Sequence, residues 1–347
     1  MARPHLRRRL LDWYATHARA LPWRVSPAAR GAGVRPDPYR VWLSEVMLQQ
    51  TTIPHATSYF LKFLARWPSI EALAAAEDGE VMGAWAGLGY YARARNLLAC
   101  ARVVANEHHG VFPDNQAGLR ALPGVGAYTA AAIAAIAFDR PANVVDGNVE
   151  RVIARLHAVE TPLPAAKPEL VALAGALADP ARPGDWAQAM MDLGAMVCRP
   201  KAPLCDRCPL ARDCRARALG VQETYPRKSA KPDRPHRHGA VYVLRRVGEV
   251  ALVRRLPKGL LGGMLGLPTT AWRGEPVTKA DALAAAPAPG DWKRAGAVEH
   301  GFTHFALTLE VWRAEGDSGD ASLVWLPLAR AVDETPSVFA KALRLAR

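Results

Sequence analysis

No stretch of the sequence approaches the roughly 18 uninterrupted apolar residues that a membrane-spanning helix needs, so no membrane role is expected. The first residues, Met1 to Leu10, are rich in arginine but lack the apolar core of a secretory signal. Acidic residues are short: 32 Asp and Glu stand against 45 Lys and Arg. The excess points to a polyanionic partner such as nucleic acid, unless the arginines merely populate solvated faces. Cysteine is scarce as well. There are five, an odd number, and four of them fall between positions 198 and 214. A secreted disulfide scaffold is not spaced that way, and a metal in a reducing compartment fits better. No internal repeat is visible. What is present is a chain of 347 residues, half of them apolar, long enough for about two domains with real cores.

Residues 1 to about 215 carry helical spacing. Leu6, Leu10, Trp13 and Tyr14 share one face, and Asp37-Pro38 reads as an N-cap and first helical residue opening Tyr39 to Thr52. Pro54 ends that helix and begins another. Further helical patterns cover Ser69–Ala76, Tyr90–Asn106, Ala127–Phe138, Asn148–Ala158, Glu169–Ala178 and Trp186–Val197. Val25 to Arg35 has turn composition without periodicity and is expected to be an exposed loop. Residues 219–238 are polar, basic and hold three prolines, the composition of a linker. Beyond it the pattern changes. Ala240–Arg245, Val250–Arg255 and Phe305–Trp312 read as strands, the first two joined near Gly248, and Lys279–Ala286 and Ser337–Leu345 as helices. The expected organisation is therefore a helical domain over 1–218, a linker over 219–238 and an α+β domain over 239–347.

Cys198, Cys205, Cys208 and Cys214 follow C-x6-C-x2-C-x5-C. Four thiolates on one short loop can hold zinc or a [4Fe–4S] cluster. The spacing lacks the two separated pairs of a zinc ribbon, which tilts toward iron and sulfur. Arg199, Lys201, Arg207, Arg212 and Arg215 crowd the same loop, either to lie on phosphates or to offset a negative cluster. Cys100 sits on an apolar helical face and reads as core.

Leu122 to Ala130 reads L-P-G-V-G-A-Y-T-A between two helical patterns. Gly124, Val125 and Gly126 form a tight turn that points backbone N–H groups and a helix N-terminus outward, a sequence-independent phosphate grip. Asp146 follows in V-V-D-G-N-V. It is a helix cap, and also a carboxylate at the edge of an apolar surface, which makes it a candidate functional group. Glu45 is the only charge in V-W-L-S-E-V-M-L-Q-Q-T-T. On an apolar wall its carboxyl would stay protonated near neutrality, as a general acid requires; on the polar stripe with Gln49 it would be an ordinary exposed glutamate.

A helix-hairpin-helix, an aspartate shortly after it and C-x6-C-x2-C-x5-C near the end of a helical region together resemble the endonuclease III superfamily of DNA glycosylases. W-L-S-E-V-M-L-Q-Q-T resembles the catalytic-helix motif of its MutY-type adenine DNA glycosylases, and the similarity covers nearly the whole chain. The resemblance implies a base-excision-repair enzyme that hydrolyses the N-glycosidic bond of adenine mispaired with 8-oxoguanine or guanine in double-stranded DNA. In it Glu45 would protonate the base at N7, Asp146 would stabilise the oxocarbenium-like sugar, and Tyr128 and Asn148 would assist at the sugar. Bifunctional lyases of the superfamily carry lysine where Tyr128 stands; tyrosine forms no Schiff base, so a monofunctional enzyme is implied. Arg19 and Trp23, around L-P-W-R, match adenine-pocket residues, and Gln188 matches a position held by Glu or Gln in relatives. Gln50, Thr51, Leu88 and Tyr90 match residues that wedge around or contact the opposing 8-oxoguanine, with plain packing the alternative for Trp23, Leu88 and Tyr90. The four cysteines become ligands of a [4Fe–4S] cluster that braces the DNA-binding face.

Leu260 to Pro268, L-L-G-G-M-L-G-L-P, resembles a segment of the Nudix-like domain of this family. It lacks the glutamate array that holds Mg²⁺ in true Nudix hydrolases, so no pyrophosphatase activity is expected. The family's 8-oxoguanine recognition loop matches Phe302, Thr303 and His304, with threonine in place of serine. The implied fold is an all-helical helix-hairpin-helix glycosylase domain with a [4Fe–4S] loop, followed by a Nudix-like α+β domain. A monomer is implied, cytoplasmic and nucleoid-associated if the source is bacterial. The rival readings are an endonuclease III-like bifunctional glycosylase and AP lyase, and a non-catalytic zinc-containing DNA-binding protein.

Overall fold

Asp37 accepts a hydrogen bond from the Tyr39 amide at 2.9 Å, and Pro38 follows it as the first helical residue. Local chemistry of this kind sets most helix starts in the first half of the chain. The computed structural model describes residues 4–230, 233–256, 259–302 and 304–346. The chain forms two compact units, residues 1–230 and 231–347. Among the described residues, no helix is long and apolar enough to cross a membrane.

The first unit is helical: α1 (Pro4–His17), α2 (Pro27–Gly31), α3 (Pro38–Leu48), α4 (Ile53–Arg66), α5 (Ile70–Ala74), α6 (Asp78–Ala84), α7 (Ala92–Glu107), α8 (Gln116–Ala121), α9 (Ala127–Phe138), α10 (Gly147–His157), α11 (Lys167–Leu177), α12 (Pro183–Asp192) and α13 (Arg215–Ala218). Its centre is α9, whose sequence A-Y-T-A-A-A-I-A-A-I-A-F is buried continuously from Thr129 to Ala137. Alanine favours the helix and leaves room for α3, α8 and α12 to approach closely.

Several sequence expectations need correction. The helix opened by Asp37 ends at Leu48, not Thr52: Gln49 leaves the helical conformation (ψ 115°) and Gln50 takes a left-handed backbone (φ 55°). The expected Trp186–Val197 helix ends at Asp192 and continues as a π-helical turn, Leu193–Val197, closed by the Cys198 amide on Leu193 O at 2.7 Å. Val25 to Arg35 is not simply an exposed loop. Ser26 caps α2 within it, and Arg30 is buried. The stretch read as a linker is folded at both ends. Tyr225 is buried, the Leu163 amide donates to Arg227 O, and a strand begins at His236. Helices α6 and α8, at 7 and 6 residues, are too short for a helical period to show in sequence.

The second unit holds strands β1 (His236–Arg246), β2 (Glu249–Arg254), β3 (Leu265–Gly266), β4 (Lys293–Gly301), β5 (Ala306–Glu315) and β6 (Leu323–Pro327), with helices α14 (Lys279–Ala284), α15 (Leu328–Glu334) and α16 (Ser337–Leu345). The sheet runs β3-β2-β1-β5-β4, with β6 also on β2. It is mixed: β1 and β5 are parallel, from His236↔Ala306 to Arg245↔Glu315, and the other pairs are antiparallel. One face packs Val241, Leu252, Leu309 and Val311 against Ala331 and Phe339 of α15 and α16. The other packs Tyr242 and Trp312 against Ala282 of α14 and Trp292.

The π turn presses hard on α10. A Cβ at Gly194 would lie 2.6 Å from Asn148 Cβ and 3.1 Å from its carbonyl oxygen. Gly194→Ala is therefore expected to lower stability by about 1–3 kcal/mol, read as a lower denaturation midpoint with an unchanged m-value.

Candidate active site

The helical unit carries a cleft of about 460 Å³ whose walls include Glu45 on α3, Tyr128 on α9, Asp146 and Asn148 at the start of α10, and Gln188 on α12. These residues are far apart in sequence and meet because four helix segments converge here. Glu45 is only 8% exposed. Burial pushes its carboxyl up to about 7. The Tyr128 hydroxyl, hydrogen-bonded to it, and the Arg24 guanidinium partly offset the rise, and the Asp146 carboxylate adds to it. Tyr128 is itself held well above the usual phenol range, first by burial and then by the negative charges of Glu45 and Asp146. The apolar-wall reading of Glu45 is the one the geometry favours.

Asp146 is the N-cap of α10. One oxygen accepts from the Val149 amide at 2.7 Å and the other from Asn148 Nδ2 at 2.9 Å. The cap reading and the site reading thus describe the same carboxylate. From Asn148 a chain of hydrogen bonds continues. Its Oδ1 accepts from an Arg151 Nη at 2.9 Å, and Arg151 Nε donates to Cys198 O at 2.8 Å. One turn further, Arg155 is 2% exposed and donates to Arg199 O at 2.7 Å, Pro200 O at 3.0 Å and Cys198 Sγ at 3.4 Å. Helix α10 therefore joins the cleft to the cysteine loop.

Trp23 lines the cleft and meets Phe60 edge-on at 5.2 Å. Arg19 lines it too, with its Nε on Asp192 Oδ1 at 2.6 Å. Gln188 is buried, and its amide donates to Gly184 O at 3.1 Å. The sequence reading missed Arg24 and Asp192. Arg24 borders the cleft and donates to both oxygens of Asp192, at 2.9 and 2.8 Å. Asp192 is fully buried. The signal was available: it is the lone charge in A-M-M-D-L-G-A, the same pattern that singled out Glu45.

Gln50 and Thr51 also line the cleft, whereas Leu88 and Tyr90 lie outside its walls. Leu88 is 5% exposed and packed in the core, while Tyr90, with left-handed φ of 52°, is 56% exposed. Arg93 ties these segments together. One guanidinium nitrogen donates to Gln49 O at 2.6 Å, and the other to Leu88 O at 3.1 Å and Gly89 O at 3.2 Å. The hairpin residues Gly124, Val125 and Gly126 sit between α8 and α9, and Gly126 is the N-cap position of α9. Gly124 has φ of 72°, and an added Cβ would lie 2.6 Å from Asn96 Cβ, so both backbone conformation and space call for glycine there.

In the second unit Phe302 stacks on Trp272 at 5.7 Å, its amide donates to Phe305 O at 2.9 Å, and His304 is exposed. Thr303 lies outside the described residues. The guanidinium of Arg237 covers the Phe305 ring at 4.4 Å.

Cys198, Cys205, Cys208 and Cys214 all line one small cavity, with Val197, Pro203 and Ala211 as apolar wall and Arg155 and Arg217 as cations. None forms a disulfide. Among the described residues, no group of three or more His, Cys, Asp or Glu is disposed to hold a metal ion; the cysteine thiols surround a space instead. Four sulfur donors around an apolar cavity backed by guanidinium groups fit a cluster carried by thiolates.

The raised carboxyl of Glu45 has a consequence for stability. Its folded value near 7 lies above the unfolded one, so the folded chain binds the proton more tightly and loses stability as pH rises through 7. Glu45→Gln should therefore stabilise the protein by up to about 3 kcal/mol above pH ~8 and have little effect below pH ~4.5. Melting temperatures of the two proteins across that range check the sign; an advantage that does not grow with pH contradicts the burial of this carboxyl.

Residues 43–172 match the model of the HhH-GPD superfamily of base excision DNA repair proteins, and residues 240–345 match a NUDIX domain. The adenine DNA glycosylase of Homo sapiens is 37% identical over 87% of this chain and 65% of its own length. That of Rattus norvegicus is 35% identical over 93% of this chain and 73% of its own. Among solved structures, a thermostable thymine-DNA glycosylase superposes with a TM-score of 0.54 at 30% identity, over 61% of this chain and 95% of that one. An endonuclease III in a non-covalent DNA complex gives 0.50 at 22% identity, over 64% of this chain and all of that one, and speaks for the fold alone. With a base-excision-repair domain followed by a NUDIX domain, and with similarity to the rat protein over 93% of its length, the chain belongs to the adenine DNA glycosylase family.

Proposed function

We propose that the protein is a monofunctional glycosylase that removes adenine paired with 8-oxoguanine or guanine in duplex DNA and acts as a monomer. The observation that carries this reading is a glutamic acid held protonated near neutrality beside a second carboxylate in one cleft. An adenine flipped into the cleft meets Glu45, whose proton passes to N7. The C1′–N9 bond then breaks with its electron pair going to the base. Asp146, pinned by the Val149 amide and Asn148, is placed to stabilise the positive sugar. Water adds at C1′ and loses a proton, leaving free adenine and an abasic site, a two-carboxyl logic shared with glycoside hydrolysis. Tyr128 orients Glu45 through their hydrogen bond.

A lyase reading needs an amine nucleophile, and the residues lining the cleft include no lysine. The hairpin at 124–126 would grip the backbone, and Gln50, Thr51 and Tyr90 would meet the opposing base. In the second unit Phe302, Thr303 and His304 would read 8-oxoguanine. Cys198, Cys205, Cys208 and Cys214 would hold a [4Fe–4S] cluster, which supplies a rigid brace for their basic loop.

The test is single-turnover excision from duplexes with adenine opposite 8-oxoguanine, guanine or thymine. Release is expected opposite the first two and not the third, with no adduct trapped by borohydride. Glu45→Gln should slow release by at least about a hundredfold while duplex binding stays within about threefold. Because the protonated carboxyl is the active form, the wild-type rate constant should fall as pH rises through a midpoint at or above about 7. Rapid release by Glu45→Gln, or a covalent adduct, overturns the assignment. The purified protein should be brown with broad visible absorbance that Cys208→Ser abolishes; a colourless protein with bound zinc overturns the cluster assignment.

A further inference from the structure

No role follows for Val25 to Arg35 from the reading above. The structure gives it one. Its short helix α2 delivers Arg30 into the interior, where the side chain is 5% exposed. Each guanidinium nitrogen has a partner. One Nη donates to Ile136 O at 2.9 Å, the other to the Asp139 carboxylate, and Nε lies 3.1 Å from Asp185 Oδ1. Ile136 and Asp139 belong to the C-terminal end of α9, with Asp139 its left-handed cap (φ 49°). Asp185 lies in the first turn of α12. Arg35 closes the network on Asp139 at 3.0 Å and Arg182 on Asp185 at 2.7 Å. The two helices come so close here that a Cβ on Gly184 would lie 2.6 Å from both Ala135 O and an Arg30 Nη.

These helices are two walls of the cleft. Helix α9 contributes Tyr128 and Ile136, and α12 contributes Gln188, whose amide bonds back to Gly184 O beside Asp185. The same α12 ends in Asp192, which holds Arg19 and Arg24. We propose that Arg30 is a positioning residue: its fork sets the spacing of α9 and α12, and through it the shape of the base-accepting end of the cleft. A buried guanidinium is suited to this because it is always charged and rigid: its Nη donors reach a carbonyl and one carboxylate while its charge pairs with a second. The proposal rests on the glycosylase reading given above.

The test compares wild type, Arg30→Met, Arg30→Lys and Asp185→Asn by single-turnover adenine excision opposite 8-oxoguanine, corrected for active fraction, alongside the Kd for a duplex bearing the abasic product. Arg30→Met is expected to lower the excision rate constant about tenfold or more, because sub-ångström misplacement is amplified at the reacting atoms, while Kd stays within about twofold. Arg30→Lys should fall between. The double variant Arg30→Met/Asp185→Asn should lose less than the product of the two single losses, since the singles share the Arg30–Asp185 contact. A rate constant within about threefold of wild type overturns the proposal, as does a loss matched by equal loss of duplex binding or additive singles. Should Arg30→Met fail to fold, Arg30→Lys and Asp185→Asn carry the same comparison. If wild type releases no adenine from any duplex, the glycosylase reading fails and this proposal with it; active wild type with an indifferent Arg30 removes only the positioning role.

Discussion

A carboxyl group taken out of water beside a second carboxylate cannot keep the charge it would carry on the surface. At Glu45 burial outweighs the offsetting Arg24 guanidinium and Tyr128 hydroxyl, and the proton stays on to about pH 7. The rest of the helical unit can be understood from that constraint. To bury a glutamate, α3 must be apolar around it, and its neighbours Val41, Trp42, Val46 and Met47 are all core residues. To keep the second carboxylate from being displaced, Asp146 must be fixed by donors that belong to the backbone and to Asn148. To keep the offsetting cation near, Arg24 must itself be held, and the buried Asp192 does that. Each requirement calls for a different helix, so the site exists only where α3, α9, α10 and α12 converge.

Helix α10 shows how little of that arrangement is independent. Its first residues fix Asp146, its second turn places Arg151 on Cys198 O, and its third places Arg155 among the carbonyls of the cysteine loop. A shift of the loop would be felt at the carboxylate, because the intervening contacts are hydrogen bonds at 2.7–2.9 Å rather than compliant apolar packing. The π turn at Leu193–Val197 belongs to the same arrangement. It turns Gly194 O toward Arg151 at 2.7 Å and carries the chain into Cys198.

The parts of this fold that could be read from sequence are those where local chemistry and burial agree. Asp37-Pro38, the alanine-rich α9, the N-cap at Asp146 and the four-cysteine spacing each announce themselves within a few residues. Tertiary contacts decide the rest. Residues 25–35 look like a loop because α2 is five residues long, and its one buried side chain is an arginine whose partners lie more than a hundred positions away. Strand β4 shows no clean alternation: a bulge at Ala295 shifts its register with β5, and as the sheet's edge it is only partly covered. The polar stretch after residue 218 has the composition of a linker, yet Tyr225 is drawn into the helical core and its hydroxyl bonds to Glu160.

Charge is where composition misleads most. The excess of +13 points outward, to a polyanion. Yet Arg24, Arg30, Arg93, Arg151 and Arg155 point inward, and their donors go to buried carboxylates and to backbone carbonyls that helix ends and turns leave unpaired. Lysine could not replace them there, since its ammonium loses its proton when buried and cannot reach several acceptors in one plane. What remains for a phosphate backbone is a smaller, more localised set, among it the exposed Lys201, Arg207, Arg212 and Arg215 of the cysteine loop. Half-buried or buried guanidinium groups hold the framework rigid, and those on the loop that α10 braces are exposed, where the proposed duplex would meet them. The same residue type thus stands in both settings, and only burial tells them apart.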